Sequence, residues 1–254
     1  MTAESNVAAA LALNNIGLSL VRHDCHELAI AAFCDSLSLL QCLHSPESVH
    51  LMMDRANQFL ACWKDFVSLQ EQRRDDCHTC LRISRRDMPH ESLTTALRNE
   101  VDQIILLNST SFNLIFLRFA ESPISRAERS PTHCAVFESI ILNNLASAFI
   151  CAWEQQPNEL QLADKALEIW GQNAILLERM LFNGIYDDSL RSQVSSLHVF
   201  VLCCIERTAT VLGLQAVAVE LSNQIMTEYS YFCEIDEEEG AYEIPKDIAA
   251  ASAA

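Results

Sequence analysis

Cys77-His78-Thr79-Cys80 is the one CxxC in the chain. Two thiolates at that spacing converge on one centre, so the motif could hold half of a tetrahedral zinc site or act as a redox pair. A zinc site needs a second pair of ligands. His23, Cys25 and His26 have suitable chemistry, but nothing in the sequence brings them to the motif. No βαβ pattern surrounds it, as a thioredoxin-like dithiol would require. The metal candidates are therefore Cys77 and Cys80 alone, and the expected set of metals and cofactors is none.

Catalytic spacings are missing. The sequence holds no G-x-S-x-G, no G-x-x-x-x-G-K-[ST], no G-x-G-x-x-G and no H-E-x-x-H. Eight histidines could be imagined in acid–base roles, but His133 and His198 fall within helical stretches, where a histidine is ordinarily structural or at the surface. No catalytic residue is assigned, and the chain is not expected to be an enzyme. The alternatives kept beside that reading are a metal- or redox-responsive regulator acting through Cys77 and Cys80, and a small all-α enzyme of unknown reaction. Arg73, Arg74, Arg82, Arg85 and Arg86 cluster in residues 72–90. They are either solvated charge or a site for an acidic partner, an RNA or the chain's own Glu237-Glu238-Glu239.

The elements that must position these residues are helices. Half of the 254 residues are hydrophobic, enough for a sizeable core, and the 5 glycines and 6 prolines are too few for the many tight turns of a sandwich or barrel. Eleven cysteines lie mostly within apolar helical stretches and read as reduced thiols packed as small hydrophobes. Met1 to Ser5 shows no positively charged start to a secretory signal. The apolar stretches 104–117 and 135–153 are interrupted by Asn108, Asn113, Glu138, Asn143 and Asn144, so no membrane-spanning helix is expected. The expected compartment is the cytoplasm, with the nucleus as the alternative.

The net charge is −17, placed unevenly: residues 134–254 carry 5 basic and 18 acidic residues. So acidic a surface repels phosphate backbones and anionic lipid, which leaves a protein or peptide as the expected partner, with no nucleic acid and no membrane.

Along the chain, Leu11, Leu13, Ile16, Leu18, Leu20 and Val21 mark a first helix, and Arg22 to Cys25 break it. Leu28, Ile30, Phe33, Leu37, Leu40 and Leu43 then recur at three and four, the spacing of a second amphipathic helix. A further helix is predicted from Pro46 to about Leu69, completing a first region of residues 1–71. Residues 72–130 form a basic insertion in which 101–107 and 112–119 read as a short β-hairpin or as helix, because runs of Ile, Leu and Phe do not declare their period. Residues 131–233 hold two more helix pairs: Ala135 to Trp153 with Leu160 to about Phe182, then Asp188 or Ser189 to Leu212 with Gln215 to about Phe232. Gly213 lies just past the third of these helices. The acidic residues 234–254 are expected to be a disordered tail.

Leu13, Ile16, Gly17 and Leu20 on the first helix, with Ala29 and Phe33 on the second, carry the tetratricopeptide spacing. In that pattern small residues let two helices approach closely. Gly17 is expected to face Ala29. Leu142, Leu145, Ala146 and Phe149 repeat the first-helix half, with Ala166 and Trp170 as the second-helix pair if the loop near Pro157 is eight residues longer. A third unit keeps Leu202, Ile205 and Ala218, but Glu206 replaces the small residue and Ser222 the aromatic. The chain thus resembles the tetratricopeptide family. More narrowly, it is similar to uncharacterised diatom-type algal proteins with Leu-Asn-Asn-Leu-Gly-like helices. The resemblance covers roughly residues 8–43 and 135–233 and implies an all-α fold, an α-α superhelix of irregular helix pairs, whose role is partner binding.

In that repeat class the first helices line a concave groove, which singles out Asn14 and Asn15 and their recurrence as Asn143 and Asn144. Asparagines there either bond the backbone of a bound peptide or tie neighbouring helix ends together, and the first reading makes these four the partner-binding candidates. A clamp for an acidic peptide terminus would need lysines or arginines beside them. The chain has three lysines, Lys64, Lys165 and Lys246, so a receptor for acidic chaperone tails is not expected.

Overall fold

The structure, a computed structural model, describes residues 3–41, 114, 116, 117, 119, 131–182, 185 and 188–238. Within them all regular structure is helical, in six helices: α1 (Ala3–Arg22), α2 (His26–Gln41), α3 (Pro131–Gln155), α4 (Leu160–Phe182), α5 (Asp188–Val211) and α6 (Gln215–Glu238). Among the described residues there is no strand. The predicted helix at 46–69, the basic cluster at 72–90 and the Cys77/Cys80 motif lie outside the described residues. The described part of the anticipated hairpin, Leu114, Phe116, Leu117 and Phe119, is neither strand nor helix.

Two compact units arise. The first contains α1, α2, the residues around Leu117, α3 and α4 as far as Leu176; the second contains the remainder of α4 with α5 and α6. In the first, α1 packs along α2, and α2 packs in turn against α3, with lighter contact between α1 and α3. Its core is built from Leu13, Phe33, Leu39, Ile141, Ile150 and Trp170, all fully buried. Ser36, also buried, donates from Oγ to the carbonyl of Ala10 at 2.6 Å and stitches α2 to α1. In the second unit α5 packs on α6, and Leu197 and Phe200 of α5 are fully buried.

The turns explain why two of these helix pairs fold back as they do. At the end of α1, Cys25 N donates to Leu20 O at 3.0 Å and Asp24 N to Val21 O at 3.1 Å, with Asp24 left-handed at φ 57. At the end of α5, Leu214 N donates to Ala209 O at 2.8 Å and Gly213 N to Thr210 O at 3.1 Å, with Gly213 at φ 75. Both are Schellman closures, which satisfy the last carbonyls of a helix only if one residue takes positive φ. Glycine does this freely, and aspartate is among the side chains that tolerate it.

The spacing between α3 and α4 is met differently from the expectation of a long loop. The extra residues lengthen both helices, α3 running on to Gln155 and α4 starting at Leu160, so that residues 156–159 alone connect them. Ala166 and Trp170 are fully buried. The close approach in the first pair also differs: a Cβ on Gly17 would lie 2.6 Å from the Phe33 ring, and the three atoms nearest to it all belong to that ring, none to Ala29. Gly17 makes room for an aromatic ring. In the third pair Glu206 and Ser222 occupy the positions of Gly17 and Phe33, and Ser222 Oγ donates to Glu206 Oε1 at 3.3 Å. A polar bridge thus stands where the first pair packs a ring against a glycine. Helix α6 takes up residues 234–238 of the acidic run that was expected to be tail; glutamate is a strong helix former, and four of these five residues are acidic.

Two stretches, Thr132–Gln155 and Leu190–Val211, are long and apolar enough to cross a membrane by length and composition, despite the asparagines within the first. Their apolar windows are 72% and 67% buried inside the protein.

Candidate functional site

Asn14 and Asn15 follow one another on α1, and Asn144 projects from α3, which packs beside it. Asn14 and Asn144 are fully buried, Asn15 half-buried. Buried carboxamides must find partners, since each polar group left unsatisfied costs about 1–3 kcal/mol. Their partners are backbone groups of the chain's own non-helical segment.

Leu117 donates its N–H to Asn144 Oδ1 at 2.9 Å, and its carbonyl accepts from Asn144 Nδ2 at 2.8 Å. A second donor, Asn14 Nδ2, reaches the same carbonyl at 3.3 Å. Two residues on, Phe119 donates its N–H to Asn15 Oδ1 at 3.1 Å and accepts from Asn15 Nδ2 at 3.0 Å. Asn144 Nδ2 also donates to Asn14 Oδ1 at 2.8 Å, which ties the two helices' asparagines into one network. The amide orientations are fixed by these partners. Turning Asn144 over would set its Nδ2 against the Leu117 N–H, donor against donor.

One carboxamide facing both the N–H and the C=O of a residue reproduces what a neighbouring β-strand offers. Residues i and i+2 of an extended chain present these groups to the same side, so Leu117 and Phe119 are read as alternate residues of an extended backbone. At Leu117 and Phe119 asparagine side chains take the place of a pairing strand. Apolar contact completes the hold. Leu114, Leu117 and Phe119 are all buried, and the Phe119 ring meets Phe137 of α3 edge to face, centroids 5.2 Å apart and planes at 82°.

Of the four asparagines singled out by sequence, Asn14, Asn15 and Asn144 converge on this segment. Asn143 faces α4 as well. It accepts from Trp170 Nε1 at 3.1 Å and so ties α3 to α4, with Asn173 Nδ2 donating to Ser139 O at 2.9 Å alongside. Phe137 is the contributor that sequence reasoning passed over. It lies about two turns before the asparagines on α3, a position that only knowledge of the occupying segment would have picked out.

Among the described residues no three His, Cys, Asp or Glu side chains cluster as a metal site requires. His26, the first residue of α2, has its Nε2 3.9 Å from Asp24 Oδ1, and Cys25 Sγ donates to His23 O at 3.4 Å. Burial pushes the His26 pKa down, partly opposed by the charge of Asp24. Its unfolded pKa, about 6.5, then lies above the folded one. The unfolded chain binds the extra proton, and the stability His26 contributes is complete above that value and lost as pH falls through the folded pKa. Thermal melts from pH 7.5 to 5 should show the wild-type midpoint falling with pH, and His26→Leu should flatten that part of the fall. An unchanged slope in the variant would refute this.

Cys25, Cys34, Cys134, Cys151, Cys203 and Cys204 are free thiols. Burial, with adjacent acidic charge, pushes Cys151 up to about 12. Burial also raises Cys203 to about 12 and pushes Cys204 well up. Protonated, enclosed thiols of this kind are packing groups, not nucleophiles.

Comparison with protein-family models, with curated proteins and with solved structures finds no match to this chain.

Proposed function

We propose that the chain is a protein-interaction scaffold of tetratricopeptide-like helix pairs, and that α1 and α3 bind an extended protein or peptide segment through Asn14, Asn15 and Asn144. The observation that carries this is the asparagine network around Leu117 and Phe119, which engages N–H and C=O at alternate residues and asks nothing of the side chain. Such a site recognises an extended backbone as such. Supporting it, α2 packs against both α1 and α3, the order in which stacked helix pairs bring their first helices side by side. The matching turns after α1 and α5 support the pairing of helices. In the third pair Cys203 and Cys204 stand where the first has Asn14 and Asn15, so the asparagine surface belongs to the first two pairs. The acidic charge favours a protein partner over nucleic acid or membrane, and free thiols suit a reducing compartment, the cytoplasm or nucleus.

Panning a random decapeptide library on the full chain tests the reading. Selected peptides should bind wild type about tenfold more tightly than Asn15→Leu, which lacks two hydrogen bonds worth about 0.5–1.5 kcal/mol each. Equal binding of the selected peptides to both would mean that the asparagines serve the fold alone.

A further inference from the structure

The groove is not empty: the chain's own Leu117 and Phe119 fill it. On the reading of α1 and α3 as a peptide site, we infer that this segment is a displaceable internal ligand. It holds the site closed and displays the chemistry of the true partner, an extended segment with large apolar residues two apart, of the form Leu-x-Phe.

Three features separate this segment from ordinary core. The backbone of Leu117 and Phe119 is held by side chains of α1 and α3, and the described residues of the segment belong to no strand or helix. The helices α1, α2 and α3 pack on one another directly, through Ser36 to Ala10 and through Gln41 Nε2 to Glu138 Oε1 at 3.1 Å, without passing through it. The contacts it makes, four backbone groups and the side chains of Leu114, Leu117 and Phe119, are those any extended peptide of like sequence could make in its place. Recognition also has a sequence component. Phe119 docks edge to face on Phe137, and Leu117 is enclosed above two buried carboxamides, so a charged residue at either position would be desolvated without a partner.

Tethering decides the outcome of competition. A segment joined to its own groove is present at an effective concentration of about a millimolar, which a free peptide of equal contacts does not reach. The wild-type chain should therefore bind such a peptide poorly, and weakening the internal segment should open the site.

The test uses the full chain and a fluorescent peptide with the sequence of residues 113–121. Phe119→Ala should remain helical by circular dichroism and bind the peptide about tenfold or more tightly than wild type. Adding Asn15→Leu to that variant should remove the gain. Unfolding of Phe119→Ala would make the segment core and overturn the proposal. So would a folded Phe119→Ala that binds the peptide no better than wild type. Two results separate the proposal from the scaffold reading beneath it. Tight binding to wild type and Phe119→Ala alike, sensitive to Asn15→Leu, would overturn the internal ligand and keep the peptide site. Binding indifferent to Asn15→Leu would overturn both.

Discussion

In Asn144→Leu the backbone amides of Leu117 and Phe119 should exchange with solvent about a hundredfold faster than in wild type. The substitution keeps the volume but removes every partner that Asn144 supplies: the acceptor for Leu117 N–H, the 2.8 Å donor to Leu117 O and the donor to Asn14 Oδ1. Leu117 O then keeps the longer 3.3 Å bond from Asn14. Two buried groups left without partners cost about 1–3 kcal/mol each, and at 1.4 kcal/mol per factor of ten that supports a hundredfold change. Asn15→Leu should act more weakly on Leu117, since Asn15 bonds Phe119 and is half-buried. Hydrogen exchange read by mass spectrometry on short peptides resolves the two. Protection unchanged in Asn144→Leu would mean that the carboxamide does not hold this segment.

How far the sequence reaches is clear from the same residues. The helices were legible because apolar positions at three and four, with Gly213 after α5 and Pro157 after α3, state both period and end. Asn14, Asn15 and Asn144 were legible as polar residues on otherwise apolar first helices, a costly placement that needs a partner. Their partner was not legible. Residues 112–119 are separated from Asn14 by about a hundred positions, and a β-rich run without period fits strand, helix or a lone extended segment equally well. Asn143 and Asn144 could not be told apart either, because adjacent helix residues point about 100° apart. That Asn144 meets Leu117 and Asn143 meets Trp170 depends on how α3 is rotated against α1 and α4. The Gly17 contact failed for a related reason: spacing alone put Ala29 opposite, whereas the space at Gly17 is filled by the Phe33 ring. Spacing names the faces that meet, and side-chain length decides which atoms touch.

That ring contact gives the second large effect. Gly17→Ala should destabilise the protein by about 1–3 kcal/mol, although alanine favours a helix interior over glycine by about 1 kcal/mol. The added Cβ would lie 2.6, 2.8 and 2.9 Å from three carbons of the Phe33 ring, closer than real contacts allow. The ring cannot retreat, because Phe33 is 0% exposed and enclosed by core. Gly171 in α4 is the internal control: a Cβ there meets nothing within 4 Å, so Gly171→Ala should stabilise by about 0.5–1 kcal/mol through propensity alone. The opposite signs of one substitution at two helical glycines isolate the clash from the propensity. A double-mutant cycle then identifies its source. In a Phe33→Leu background, itself less stable for the lost ring, the space above Gly17 opens. Gly17→Ala should there become neutral or mildly stabilising. Denaturant midpoints for the four proteins decide it, and a Gly17→Ala cost that is the same with and without the ring would show that Phe33 is not what requires the glycine.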